Sequence, residues 1–127
     1  GFIDLVFKTE DGKLHIMDYK TCSWGWGKQQ KTDKMLAYQL VLYKHFFAQR
    51  YEIDPNDIEV HFCLLKRTAK KNVVEVFSIT SGDKRTNNAL ELMTRAIKTI
   101  KNKVHIKNKL ACTKGYGCEF YKTEHCK

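Results

Sequence analysis

Apolar and polar positions alternate from Phe2 to Lys8 and again from Leu14 to Cys22. Glu10-Asp11-Gly12 joins the two runs, and Asp-Gly between such alternations predicts a β-hairpin. From Ser23 to Thr32 the alternation stops: Trp24, Gly25, Trp26 and Gly27 give way to polar residues, which predicts a loop carrying two aromatic rings. Between about Asp33 and Tyr51, Leu36, Leu40, Tyr43 and Phe47 recur at helical spacing behind Thr32 or Asp33 as N-cap, so a long, largely buried helix is expected. Asp54-Pro55-Asn56-Asp57 is turn chemistry, and Ile58 to Leu65 and Val73 to Ile79 form a second strand pair around the lysine-rich Lys66 to Asn72. After Ser81-Gly82-Asp83, the positions Ala89, Leu90, Met93, Ala96, Ile97, Ile100 and Val104 mark one face of a second amphipathic helix whose other face is basic. The tail from Lys107 has two glycines, three cysteines and no periodicity, and is either a loop or organised by its cysteines. The order β-β-α-β-β-α predicts an α/β (α+β) domain with a mixed sheet flanked by helices.

Composition narrows the class. With 127 residues and 43% hydrophobic content, the chain can bury the core of one domain and is not disordered. Twenty-three Lys and Arg against fourteen Asp and Glu leave a formal charge of +9, which favours polyanions and makes nucleic acid the leading partner class. A lysine-rich solubilising surface would read the same way. No run approaches the roughly 20 apolar residues of a membrane span and no leader precedes a cleavage site, so a soluble, cytoplasmic protein is expected. The chain opens at Gly1, without Met, in a strand-like run, which suggests the later part of a longer protein. Five cysteines, three of them within the last sixteen residues, point to metal or thiols sooner than disulfides.

The hairpin carries the candidate chemistry. Strand geometry turns Asp18 and Lys20 to one face and Tyr19 to the other. Asp4 joins them only in one register. A two-residue Asp11-Gly12 turn sends Asp4 to the far face, whereas a three-residue Glu10-Asp11-Gly12 loop, ending on Gly12 in the left-handed region, sets Asp4 opposite Asp18. The second register is expected here. Facing carboxylates repel unless a cation lies between them, and oxygen ligands of this kind suit Mg²⁺ or Mn²⁺. Taken alone, the hairpin also fits an exposed cross-strand Asp–Lys pair with no further role.

Gly1-Phe2-Ile3-Asp4, then thirteen residues, then Asp18-Tyr19-Lys20-Thr21, then a helix with Gln39 and Tyr43, resembles the RecB-like branch of the PD-(D/E)XK nuclease superfamily. Its members carry G-x-x-D, D-Y-K-T and Q-x-x-x-Y in that order. The resemblance covers Gly1 to about Ile79, with Ile3 where the superfamily's name has Pro. It implies a restriction-endonuclease-like core over residues 1–106, N-terminally incomplete and lacking the helix that many relatives place before the first strand, and a cysteine-containing tail over 107–127. It further implies that Asp4 and Asp18 bind Mg²⁺ or Mn²⁺ with the Tyr19 carbonyl, that Lys20 is the catalytic lysine, and that Gln39 and Tyr43 brace the site and contact substrate. The expected activity is metal-dependent hydrolysis of DNA phosphodiester bonds. An exonuclease of DNA repair, recombination or phage DNA processing in a prokaryotic or phage-infected cell is the leading setting, with a helicase or recombination partner. A catalytically inactive nucleic-acid-binding module of a helicase–nuclease or CRISPR-adaptation-type complex is the alternative.

Two further groups draw attention. Trp24 and Trp26 directly follow the D-Y-K-T strand, with Lys28, Lys31 and Lys34 close behind, and rings that stack on unpaired bases beside lysines that meet phosphates would grip single-stranded DNA. The other reading packs both rings on the core. Some relatives hold a [4Fe–4S] cluster with one early and three late cysteines, and Cys112, Cys118 and Cys126 match that late group in part. Three readings stand: no metal, a cluster completed by a further Cys, or zinc with His125. Cys22 and Cys63 lie in strands and read as small buried hydrophobes.

Overall fold

The structure, a computed structural model, describes residues 1–104, 110, 112, 113 and 117–124. Its elements are β1 (Leu5–Lys8), β2 (Leu14–Cys22), α1 (Lys28–Lys31), α2 (Lys34–Tyr51), a 3₁₀ turn (Pro55–Asp57), β3 (Ile58–Lys66), β4 (Val74–Ser78) and α3 (Asp83–Lys101). The two long helices and four strands follow the expected β-β-α-β-β-α order in a mixed sheet, as a restriction-endonuclease-like fold requires. The chain divides into two compact units, Gly1–Met93 and Thr94–Lys127. The sheet and its site belong to the first.

The strands lie in the order β1-β2-β3-β4. β1 and β2 are antiparallel, as are β3 and β4, but β2 and β3 run parallel and are joined through α2. A parallel pair needs such a crossover, and the 18-residue α2 supplies it. Asp33 caps α2 by accepting hydrogen bonds from the N–H groups of Met35 (2.7 Å) and Leu36 (3.2 Å). Ile16 of β2, Ile58, Val60 and Phe62 of β3, and Leu40 and Ala48 of α2 form the buried core, with Leu36, Tyr43 and Phe47 packed against it. The helical spacing of those three residues thus marks the buried face of α2.

Two boundaries differ from expectation. β1 begins at Leu5 rather than Phe2, and Phe2 is 92% exposed. The ladder stops because Asp4 spends its side chain on the neighbouring strand, as described below. The stretch expected to be all loop contains the single turn α1, where Gln30 accepts a hydrogen bond from the Gly27 N–H (3.4 Å). Lys28-Gln29-Gln30-Lys31 has no apolar residue, so no hydrophobic period announces it. Along α3 the expected apolar face is buried only at Ala89, while Ile97 and Ile100 are exposed.

Candidate active site

The hairpin register is set by its loop. Thr9 donates its N–H to the Lys13 carbonyl (2.9 Å), the turn between them is Glu10-Asp11-Gly12, and Gly12 has φ +88°. That backbone conformation costs a side-chain-bearing residue about 1 kcal/mol or more, which is why glycine stands there. Leu5 pairs with Met17, Val6 with Ile16, Phe7 with His15 and Lys8 with Leu14, and the same register sets Asp4 opposite Asp18.

Alternation along β2 brings Ile16, Asp18 and Lys20 to the face covered by α2. Asp18 is 3% exposed, so its carboxylate needs partners. It finds two. The Gln39 amide donates from Nε2 to Asp18 Oδ1 (3.2 Å), and the Lys20 ammonium lies 2.8 Å from Oδ2. Lys20 Nζ also donates to Gln39 Oε1 (3.2 Å), and Gln39 Nε2 makes a second bond to the Tyr43 hydroxyl (3.1 Å). The amide of Gln39 therefore has both its donor and its acceptor engaged, which explains a polar residue in so apolar a helix. The i, i+4 spacing of Gln39 and Tyr43 puts them one above the other on α2.

The first motif meets the third as well. A Cβ built on Gly1 would lie 2.6 Å from the Tyr43 hydroxyl, so a side chain at this position would require Gly1 or the Tyr43 side chain to shift. Asp4 takes the other edge: its Oδ2 accepts the backbone N–H of Tyr19 at 2.8 Å. A strand residue's N–H and C=O emerge on the same edge, so the Tyr19 carbonyl faces the Asp4 side too. The Tyr19 ring points to the opposite face and is exposed.

The structure separates the two tryptophans. Trp24 is 77% exposed. Trp26 is partly buried and packs on Phe62 and Phe77, with ring centroids 5.2 and 6.1 Å away. Gly25 between the two tryptophans has φ +119°, a backbone conformation that a residue with a side chain rarely adopts. The lysines divide likewise. Lys28 and Lys34 are exposed, but Lys31 is ion-paired with Glu75, which Lys66 also contacts at 2.7 Å. Glu75 was not anticipated as a partner: only the β3–β4 register, which sets it beside Leu64, brings it to this face. These lysines hold the Glu75 carboxyl below its ordinary range, Lys31 most strongly.

In the second unit, Cys118 donates its N–H to the Cys112 carbonyl (3.1 Å). Cys126 and His125 lie outside the described residues. Cys63 is buried, and burial pushes its thiol pKa up; Cys22 is half-buried.

Residues 1–126 match the family model of the PD-(D/E)XK nuclease superfamily. The chain belongs to this superfamily. No curated protein and no solved structure matches it. Membership makes a divalent metal the expected cofactor and DNA the expected substrate, and the residues present fit such an ion. Asp18 Oδ2 is buried and has the Lys20 ammonium beside it, yet no donor is aligned on its lone pairs. Asp4 has one oxygen on Tyr19 and, among the described residues, no second donor. Two carboxylates against one ammonium leave a net negative charge, and all the donors are oxygens, the set a hard divalent cation takes. No helix among the described residues is long and apolar enough to cross a membrane.

Proposed function

We propose that this superfamily member is a RecB-like, Mg²⁺- or Mn²⁺-dependent deoxyribonuclease that hydrolyses phosphodiester bonds at DNA ends, in repair, recombination or phage DNA processing. The observation that carries the reading is Asp18: a buried carboxylate held by Gln39 and Lys20, opposite Asp4, with an oxygen still able to take a ligand.

Asp4, Asp18 and the Tyr19 carbonyl would hold the ion. When bound, it supplies Lewis acidity at the phosphate and a lowered pKa for water. The protein's own part is placement and charge. Lys20, fixed between Asp18 Oδ2 and Gln39 Oε1, presents an ammonium that orients the attacking water and offsets charge building on the phosphoryl oxygens. Gln39 fixes both Asp18 and Lys20, and Tyr43 fixes Gln39. Trp24, with its exposed ring, stacks on an unpaired base, and Lys28 and Lys34 meet backbone phosphates.

The test is cleavage of end-labelled single- and double-stranded DNA by the full-length protein with Mg²⁺, Mn²⁺ or EDTA, alongside Asp18→Ala. Cleavage is expected with either metal and absent with EDTA or the variant. Cleavage that survives EDTA or the substitution overturns the mechanism.

A further inference from the structure

The face of β2 opposite Asp18 carries a second group of ligand-type side chains. His15 lies beside Glu59 in the β2–β3 register, and His61 follows two residues along β3 on the same face. His15 Nδ1 and His61 Nε2 are 2.9 Å apart, and Glu59 Oε2 lies 4.0 Å from the first and 3.9 Å from the second. These three atoms stay within 4.8 Å of one another. A triangle with those sides has its centre about 2.1 Å from every corner, the length of a zinc bond to nitrogen or carboxylate oxygen.

The neighbours of His15 set its tautomer. Thr9 Oγ1 lies 2.5 Å from Asp11 Oδ1 and 3.1 Å from the Lys13 carbonyl, and an ionised carboxylate and a carbonyl can only accept. The single hydroxyl hydrogen is therefore spent on one of them, and the 3.1 Å contact between Thr9 Oγ1 and His15 Nε2 must have the ring as donor. That leaves the lone pair on His15 Nδ1, the atom that stands at one corner of the triangle. A ligating histidine whose far nitrogen donates to a fixed oxygen is the arrangement that orients imidazole on a metal. Phe7 stacks on the outer side of His15, with centroids 4.9 Å apart, and both imidazoles are 14% exposed while Glu59 sits at the rim. Glu59 Oε1 is held by Lys13 (3.0 Å), which leaves Oε2 for the metal.

We propose that His15, Glu59 and His61 form a transition-metal site, of the Zn²⁺ class, separate from the carboxylate site at Asp4 and Asp18. Two imidazoles and one carboxylate suit zinc, cobalt, nickel or copper, whereas the all-oxygen site suits magnesium or manganese. The chain thus sorts two metals by ligand chemistry on the two faces of one strand. Bound there, the metal ties the hairpin to β3 across the parallel β2–β3 seam. In its absence His61 Nε2–H donates to His15 Nδ1, and on binding His61 takes its other tautomer, with the ring proton on Nδ1.

The experiment is calorimetric titration of the full-length protein with ZnCl₂ in an Asp18→Asn background, which disables the carboxylate site, followed by CoCl₂ titration read by absorbance. One equivalent of Zn²⁺ is expected to bind, with affinity at least about tenfold weaker in both His61→Gln and Glu59→Gln. Glu59 is a rim residue, so its variant tests the site even if His61→Gln unfolds. The cobalt spectrum should show ligand-field bands without the near-ultraviolet charge-transfer band of a thiolate. Unchanged zinc affinity in Glu59→Gln, no binding in the Asp18→Asn background, or a thiolate band, which would put the metal on the tail cysteines, each overturns the proposal.

Discussion

Asp4 Oδ2 accepts the backbone N–H of Tyr19 at 2.8 Å, so a side chain just before β1 takes the place that the Ile3 carbonyl would hold were the ladder two residues longer. The contact fixes the carboxylate beside β2 without burying it. Asp4→Ala should therefore be nearly neutral for folding and severe for activity. We expect a stability loss of about 1 kcal/mol or less by denaturant titration. We expect a fall in DNA cleavage on the order of 10²-fold or more. Cleavage within twofold of the parent would remove Asp4 from the site.

Gln39 holds three groups at once, so its loss should exceed that of Tyr43. Gln39→Leu strips Asp18 Oδ1 of its donor and Lys20 of an acceptor while burying the same volume. A cost of about 1–3 kcal/mol in stability and about 10- to 100-fold in cleavage is expected. Tyr43→Phe removes only the hydroxyl that Gln39 donates to and should cost about 1 kcal/mol with a smaller drop in rate. Equal effects from the two would show that Gln39 does not organise the site.

The two tryptophans should part company. Trp26→Ala, opening a gap beside Phe62 and Phe77, is expected to destabilise by about 2–3 kcal/mol in a thermal or denaturant melt. Trp24→Ala should leave stability within about 0.5 kcal/mol. It should instead raise KM for single-stranded DNA about tenfold, the value of one lost base stack. An unchanged KM would mean that the exposed ring does not meet substrate.

This division marks where local sequence stops informing. The Asp-Gly loop, the alternation of β2 and the spacing of Leu36, Leu40, Tyr43 and Phe47 are local signals, and they were enough for the hairpin, its register and the buried face of α2. Trp24 and Trp26 look alike in sequence, and what separates them is tertiary: the parallel crossover brings Phe62 of β3, and with it Phe77 of β4, against Trp26 alone. His15 and His61 are 46 residues apart and share no motif. They meet only because β3 returns parallel to β2, a pairing no local pattern encodes. Glu75 is unreadable for the same reason, since its partners Lys31 and Lys66 lie on two other elements.

Glu75 gives the clearest pH prediction. Hydrogen bonds from Lys31 first and Lys66 second, with the charges of both, hold its carboxyl below the ordinary 4.5, so the unfolded chain binds the proton more readily than the folded one. Stability from this group is then present above about pH 4.5 and is lost as pH falls through the lower folded value. Removing the charge should reproduce the acid state at any pH. Glu75→Gln is expected to cost on the order of 1 kcal/mol near neutrality, a figure kept small because the carboxylate is partly solvated. The gap between parent and variant in denaturant midpoint should narrow steadily below about pH 4.5 and close once the parent's Glu75 is protonated. A gap that stays constant down the acid range would mean that the carboxylate's packing, rather than its charge, ties α1 to β4 and the end of β3.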